Sequence, residues 1–380
     1  MTIYLDHNAT TAVHPEVAEA MGECFNAGYA NPASQHRAGR RARQLLEDSR
    51  EAIGQILGAG TSGMHADRLI FTSGGTESNN LALFGLTEDR PGRVIISGIE
   101  HPSVLTAAEH LGHRGFDVQY LRVDQNGVVD VDHMRHLLNS ETRLVSVMLA
   151  NNETGVLQPV DALAEMCRDA AVPFHTDAVQ AVGKIPVHFR QMGATALTLT
   201  AHKFHGPRGI GALLVQPRAT LQPIFRGGFQ QWGLRPGTET LELVVGLRRA
   251  LEVWHRDYQT RAVRMGALRD RFEDQLRATG IKMVVNGVGG PRLPHTSNIS
   301  FVGLDRQALH MALDMADIAC STGSACASGS SDPSQVLLAM HLSKQLVDSA
   351  LRFSIGAFTT TQDIDTAVER ISATVMKMTR

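Results

Sequence analysis

Short apolar runs alternate with stretches of helical period through the first two thirds of this 380-residue chain. The runs at 68–73, 93–97, 118–123, 144–150, 173–176, 196–200 and 211–215 read as strands. Between them, 78–86, 103–114, 131–138 and 160–170 repeat their apolar residues at helical spacing. Strand and helix in alternation predict an α/β domain on a mostly parallel, seven-stranded sheet. In such sheets ligands bind beyond the carboxyl ends of the strands, so the polar residues that follow each run are the first candidates for chemistry.

After about Gly246 the pattern changes. An amphipathic run at 247–280 reads as one or two helices. Segments 283–286, 298–302 and 309–315 follow, then a Cys-bearing loop, then helices at 336–340 and 364–379. This reads as a smaller α+β domain. The expected division is a large domain over 16–246 and a small one made of 1–15 and 247–380, with the Cys loop at about 320–334. No low-complexity linker or internal repeat separates them. Direct packing, with the site between the two, is expected.

Hydrophobic residues make up 43% of the chain and charged residues 19%, enough to fill two cores. A net charge of −2 argues against broad attraction to nucleic acid or an acidic membrane. The basic run Arg40-Arg41-Ala42-Arg43 reads as a solvated helix face. The start, Met1-Thr2-Ile3-Tyr4-Leu5-Asp6-His7, lacks the regions of a signal peptide, and no apolar stretch is long enough to span a bilayer. A soluble, cytoplasmic protein is expected.

The four cysteines do not make a disulfide framework in a chain of this length. Cys24 and Cys167 fall in helical segments and read as packing residues. Cys320 and Cys326 lie instead in a Gly/Ser-rich stretch that ends at Asp332-Pro333. The 17 histidines raise the question of a metal. His133/His136 and His110/His113 share helix faces, but neither pair has the HExxH pattern or a nearby Cys pair, so they do not read as a zinc site.

Lys203 follows the apolar run 194–199 in Thr200-Ala201-His202-Lys203. One lysine in a polar turn after a strand is where a pyridoxal phosphate (PLP) enzyme anchors its cofactor, by a Schiff base to the aldehyde, with the neighbouring Thr and His on the phosphate. The alternative is a solvated surface lysine. Thr72-Ser73-Gly74-Gly75-Thr76 follows another strand and opens a helix. Its N–H groups and hydroxyl suit a phosphate, or simply cap the helix. His101 stands at a third strand end, placed to stack on a flat ring or to shuttle protons, or for a structural bond. Asn151-Asn152 offers two amides for a ring hydroxyl or a carboxylate, or for a turn. Asp177 puts a carboxylate at a buried strand end, where it needs a cation. The pyridinium of PLP is such a cation, with Gln180 in reach of the ring hydroxyl. Arg352, among apolar residues, suits a bidentate carboxylate clamp or a structural ion pair.

Lys203, Asp177, His101 and the Gly-Gly-Thr turn, with Ser324-Ala325-Cys326 and the later Asp332-Pro333-Ser334, resemble the class V, fold-type I PLP enzymes, and within them the NifS/IscS-like cysteine desulfurases. The resemblance runs from Tyr4-Leu5-Asp6-His7-Asn8-Ala9-Thr10-Thr11 to Arg352-Phe353-Ser354-Ile355-Gly356. It implies a fold-type I PLP-dependent transferase that converts L-cysteine to L-alanine and leaves a persulfide on Cys326. It further implies that Lys203 carries PLP, His101 stacks on the ring, Asp177 pairs with the ring nitrogen and Gln180 meets the ring hydroxyl. Gly75, Thr76, Thr200 and His202 would hold the phosphate, joined across a homodimer interface by Thr238. Asn152 would lie beside cofactor and substrate, and Arg352 would clamp the substrate carboxylate. Sulfur would pass to an acceptor protein, an iron–sulfur scaffold or a thiolation enzyme, with a cluster held transiently through Cys326 as a further implication. Loop length resembles the IscS/NifS type rather than the shorter SufS type. Phe229-Gln230-Gln231-Trp232 and Ala357 depart from the family pattern, the first at a dimer contact and the second near the carboxylate clamp. Cys320 reads as a packing thiol. The rival readings are a class V aminotransferase, a selenocysteine lyase, and a non-catalytic scaffold in sulfur transfer.

Overall fold

The computed structural model describes residues 2–88, 90–323 and 332–379, so Cys326 and its neighbours Ser324 and Ala325 lie outside the described residues. The seven apolar runs form one sheet. Its spatial order is Arg68–Thr72, Gly211–Val215, Ala196–Thr200, Phe174–Asp177, Thr142–Ser146, Arg93–Ser97, Asp117–Leu121. Gly211–Val215 runs antiparallel to both its neighbours, and the other adjacent pairs are parallel. Side chains alternate between the two faces as the pleat requires. Leu69, Phe71, Ile95, Leu197 and Leu199 enter one core, while Ile70, Val94, Ile96 and Leu213 enter the other. Helices Gly75–Leu86 and Pro102–His113 cover the second face. Expected and observed strand bounds agree within two residues at six of the seven runs and diverge at the remaining one. The run at 144–150 is a strand only over Thr142–Ser146, although Val147 and Leu149 still donate N–H bonds to His175 and Asp177.

The sheet's open edge on the Arg68–Thr72 side is closed by a side chain. Gln231 accepts the Phe71 N–H at 2.6 Å and donates to the Phe71 carbonyl at 2.8 Å, so one amide stands in for a missing strand. Gln231 itself has a left-handed backbone, φ 49°, and the following Trp232 stacks over the Arg50 guanidinium.

The run at 247–280 is one helix, Leu241–Ala278, interrupted by non-helical geometry at Asp257. Before this kink, Leu241, Val244, Leu247, Leu251 and Trp254 pack in the large core. After it, Met265, Leu268, Phe272 and Leu276 pack in a second core with Ile3, Leu5, Ile299, Leu309, Leu351 and Ile371. That core lies on a three-stranded antiparallel sheet, Ala350–Ser354, Thr296–Phe301, Met283–Asn286, and a short parallel pair, Ile3–Tyr4 with Ile318–Ala319. No helix among the described residues is long and apolar enough to cross a membrane.

Replacing Gln231 by Leu leaves both Phe71 backbone groups unpaired on a buried edge. It should lower unfolding stability by about 2 kcal/mol. Equilibrium urea unfolding checks this, with a change within experimental error counting against it.

Candidate active site

A cavity of about 390 Å³ opens beyond the carboxyl ends of the central strands. Its lining includes Gly75, Thr76, His101, Asn152, Asp177, Gln180, Thr200, His202 and Lys203. Nine residues singled out from separate strand ends therefore share one space. The reason is topological: parallel strands deliver all their C-terminal turns to the same edge.

Asp177 ends the strand Phe174–Asp177 and is buried. Its carboxylate accepts the Val179 N–H at 2.9 Å and Asn79 Nδ2 at 2.7 Å, donors that carry no positive charge. Asn79 Nδ2 also donates to Ser103 Oγ at 2.9 Å, and Ser103 Oγ lies 2.8 Å from His101 Nδ1. That nitrogen accepts the Ser103 N–H at 3.1 Å as the cap of the helix Pro102–His113. A nitrogen that accepts cannot carry the proton, so the neutral His101 ring carries it on Nε2. His101 and Asp177 are thus ends of one short chain of bonds.

Lys203 follows the strand Ala196–Thr200 in a tight turn. Its Nζ donates to the carbonyls of Asn8 at 2.5 Å and Ala9 at 2.9 Å. Gln180 Nε2 donates to the same Asn8 carbonyl at 3.1 Å. Lys184 is buried behind Lys203, and its ammonium donates to the Lys203 carbonyl. Burial, then the charges of Lys203 and Arg261, push the Lys184 pKa down to about 7. His202 bonds Thr10 Oγ1 at 3.2 Å through Nδ1, and burial with nearby Lys203 lowers its pKa to about 4.

The two adjacent amides divide the work. Asn151 builds the turn: its Oδ1 accepts the N–H groups of Glu153 and Thr154, each at 2.9 Å. Asn152 lines the cavity, and its backbone carbonyl accepts Arg352 Nη1 at 3.0 Å. Arg352 is buried on the strand Ala350–Ser354, where Nη2 also pairs with Asp6 at 2.7 Å. It stands behind Asn152 rather than in the cavity wall. Thr238 is exposed on a surface loop and does not line the cavity of its own chain. Cys320 is a buried thiol of the small core, its pKa pushed up to about 12 by burial.

Three residues of this site carried no assigned role in the sequence reading: Asn79, Ser103 and Glu100. Asn79 had a signal, since Asn79, Leu83 and Leu86 share the sheet-facing row of their helix and all three are buried. Glu100 is buried beside Met148, accepting Ser97 Oγ at 2.5 Å and the Met148 N–H at 2.8 Å.

The residues present suit PLP. Asn152 Oδ1 and Gln180 Oε1 are buried and find no hydrogen-bond partner among the described residues, so acceptors are left for a ring hydroxyl or a substrate amine. The helix Gly75–Leu86 begins at the cavity with no side chain capping it, beside Thr76, Thr200 and His202, as an anion site does. A β-carbon on Gly75 would sit 3.0 Å from Val179 Cγ2, so glycine keeps that approach open.

Burial, against bonds from Ser97 and Met148, pushes the Glu100 carboxyl up to about 8. The folded protein then keeps a proton that the unfolded chain releases above its ordinary carboxyl pKa, near 4.5. Stability from this group is complete below that value and is lost as pH rises to about 8. Glu100→Gln, which keeps the accepting oxygen, should remove this slope. Thermal melts from pH 5 to about 8.5 check it, and parallel profiles for parent and variant would refute it.

The family described as Aminotransferase class-V matches residues 3–367. The chain is 36% identical over 379 residues to a protein of Dictyoglomus turgidum named cysteine desulfurase IscS, covering 99% of this chain and 95% of that one. Among solved structures, a NifS-like protein superposes with a TM-score of 0.91 at 32% identity over the whole of both chains. A structure described as SspA in complex with cysteine gives 0.81 at 31% identity, covering 94% of this chain and all of that one. The fold, the cavity and these matches agree, and the chain belongs to the class V aminotransferase family.

Proposed function

We propose that this protein is a PLP-dependent cysteine desulfurase, a sulfurtransferase that converts L-cysteine to L-alanine and holds the sulfur as a persulfide on Cys326. The observation that carries the reading is the meeting of Lys203, Asp177 and His101 in one cavity, on a chain that also has Cys326 in a Gly/Ser-rich segment. The names of the relatives and the cysteine complex of one neighbour support it.

Bound PLP would supply an aldehyde that takes up the substrate amine and a ring that draws electrons from the substrate Cα. Lys203 would hold the cofactor, and its amine would take the substrate Cα proton. Asp177, its oxygens fixed by Asn79 and Val179, would hold a proton at the ring nitrogen. His101 would pack against the ring. The helix start at Gly75 and Thr76 would hold the phosphate with Thr200 and His202, while Gln180 and Asn152 would meet the ring hydroxyl and the substrate. Arg352, whose buried Nε has no hydrogen-bond partner among the described residues, would take the substrate carboxylate from behind Asn152. The Cys326 thiolate attacks the substrate sulfur: an S–S bond forms as the C–S bond breaks, and that electron pair stays with the three-carbon fragment. Proton uptake by this fragment yields alanine, so L-cysteine plus the enzyme thiol gives L-alanine plus the enzyme persulfide. The protein works as a homodimer, with Thr238 reaching the phosphate of the opposite site. Its persulfide passes to an acceptor protein, an iron–sulfur scaffold or a thiolation enzyme.

Alanine and sulfide release from L-cysteine with a thiol reductant tests the reading. The parent should form both in equal amounts, and Lys203→Ala and Cys326→Ser should each lose at least about a hundredfold in rate. An active Cys326→Ser beside a dead Lys203→Ala would instead indicate amino-group transfer. Loss of neither activity would leave PLP chemistry without support.

A further inference from the structure

The turn after the strand Thr142–Ser146 sends two neighbouring side chains to different places. Asn152 lines the cavity. Glu153, also buried, reaches the residues that flank the Cys326-bearing segment. Its Oε2 accepts Ser334 Oγ at 2.6 Å, and that hydroxyl in turn accepts the Leu337 N–H at 3.1 Å to cap the helix Gln335–Ala339. On the other side of residues 324–331, Gly323 lies against the same carboxylate: a β-carbon there would be 2.6 Å from Glu153 Oε2. Gly323 also has a left-handed φ of +87°, so only glycine makes this approach without strain.

Glu153 is itself fixed at its backbone. Its N–H donates to Asn151 Oδ1 at 2.9 Å, and its carbonyl accepts Asn298 Nδ2 at 3.4 Å. Arg352 holds the adjoining Asn152 carbonyl, and Arg306 holds the Asp332 carbonyl at 2.7 Å. Burial pushes the Glu153 carboxyl above its ordinary value, opposed by the Ser334 bond and by Arg352, Arg306 and His101. A buried carboxylate is costly, and the place where this one is spent is the junction of both segment ends with the cavity wall.

We propose that Glu153 is a positioning residue: it bonds the Ser334 end of the Cys326-bearing segment and packs against its Gly323 end, and so sets where the Cys326 sulfur meets the substrate. Its part in catalysis rests on the desulfurase reading above. Glu153 acts without touching the reacting atoms, and the Ser334 hydroxyl is the half of the tether that can be removed most gently.

The test uses the PLP-loaded protein and the variants Ser334→Ala, Ser334→Thr and Glu153→Ala. Cys24, Cys167 and Cys320 are buried, so iodoacetamide labelling of the native protein, mapped by peptide, reads Cys326. In Ser334→Ala, labelling of Cys326 should rise about tenfold, the effect of losing one hydrogen bond to a buried carboxylate. With L-cysteine, single-turnover persulfide formation on Cys326 should fall about tenfold, with KM within about twofold of the parent. Ser334→Thr keeps the hydroxyl and should restore both. Parental labelling and parental persulfide rates in Ser334→Ala would overturn the proposal, and this variant decides the matter if Glu153→Ala does not fold. A parent that forms no persulfide sinks the desulfurase reading instead, while the labelling ratio still judges the tether.

Discussion

A carboxylate at the end of a buried parallel strand is the constraint on which the rest of the site depends. Asp177 is buried in the sheet edge with amide donors from Asn79 and Val179 as its partners. Neutral donors orient such a group without neutralising it, so the cavity side of Asp177 favours a cation. Everything nearby follows that polarity. The bonds from Asp177 continue through Asn79 and Ser103 to the His101 ring, so the carboxylate and the imidazole are set together. At the far end of the cavity, an uncapped helix start and Thr200 favour an anion. A ligand with a cationic ring and an anionic tail matches both ends at once.

The two cores share one helix, and this places the parts of the site contributed by the small core. Leu241–Ala278 packs in the large core before Asp257 and in the small core after it. Arg352 sits on a strand of the small core yet donates to the Asn152 carbonyl of the large one. Arg352 and the Asn152 turn are therefore coupled to the relative seating of two cores, and the Asp6–Arg352 ion pair ties the first residues of the chain into the same joint.

Much of this was legible in the sequence, because buried parallel strands are short apolar runs and their ligand-binding turns follow them directly. Lys203, Asp177, His101 and Gln180 stand where such turns put them, and the cavity gathers them. What was not legible has specific causes. Asn151 and Asn152 are alike as residues, and only the turn's hydrogen bonds separate the structural one from the one that faces the cavity. The helical period was legible only from 78, because glycines weaken such a pattern, and the structure starts the helix at Gly75 with its first turn open for an anion. Glu100 reads as an ordinary polar residue before His101, and its burial arises only when Met148, beyond the end of the strand Thr142–Ser146, packs beside it. Gln231, within the stretch that departs from the family pattern, serves the large sheet by closing its edge at Phe71.

The central claim is that Lys203, rather than the more deeply buried Lys184 behind it, is the anchor of PLP. Borohydride reduction of the PLP-loaded protein, followed by digestion and mass mapping, tests this directly. The account predicts a phosphopyridoxyl group on the peptide that carries Lys203 and none on the peptide that carries Lys184. A label on Lys184, or no covalent label in a PLP-saturated protein, would contradict it.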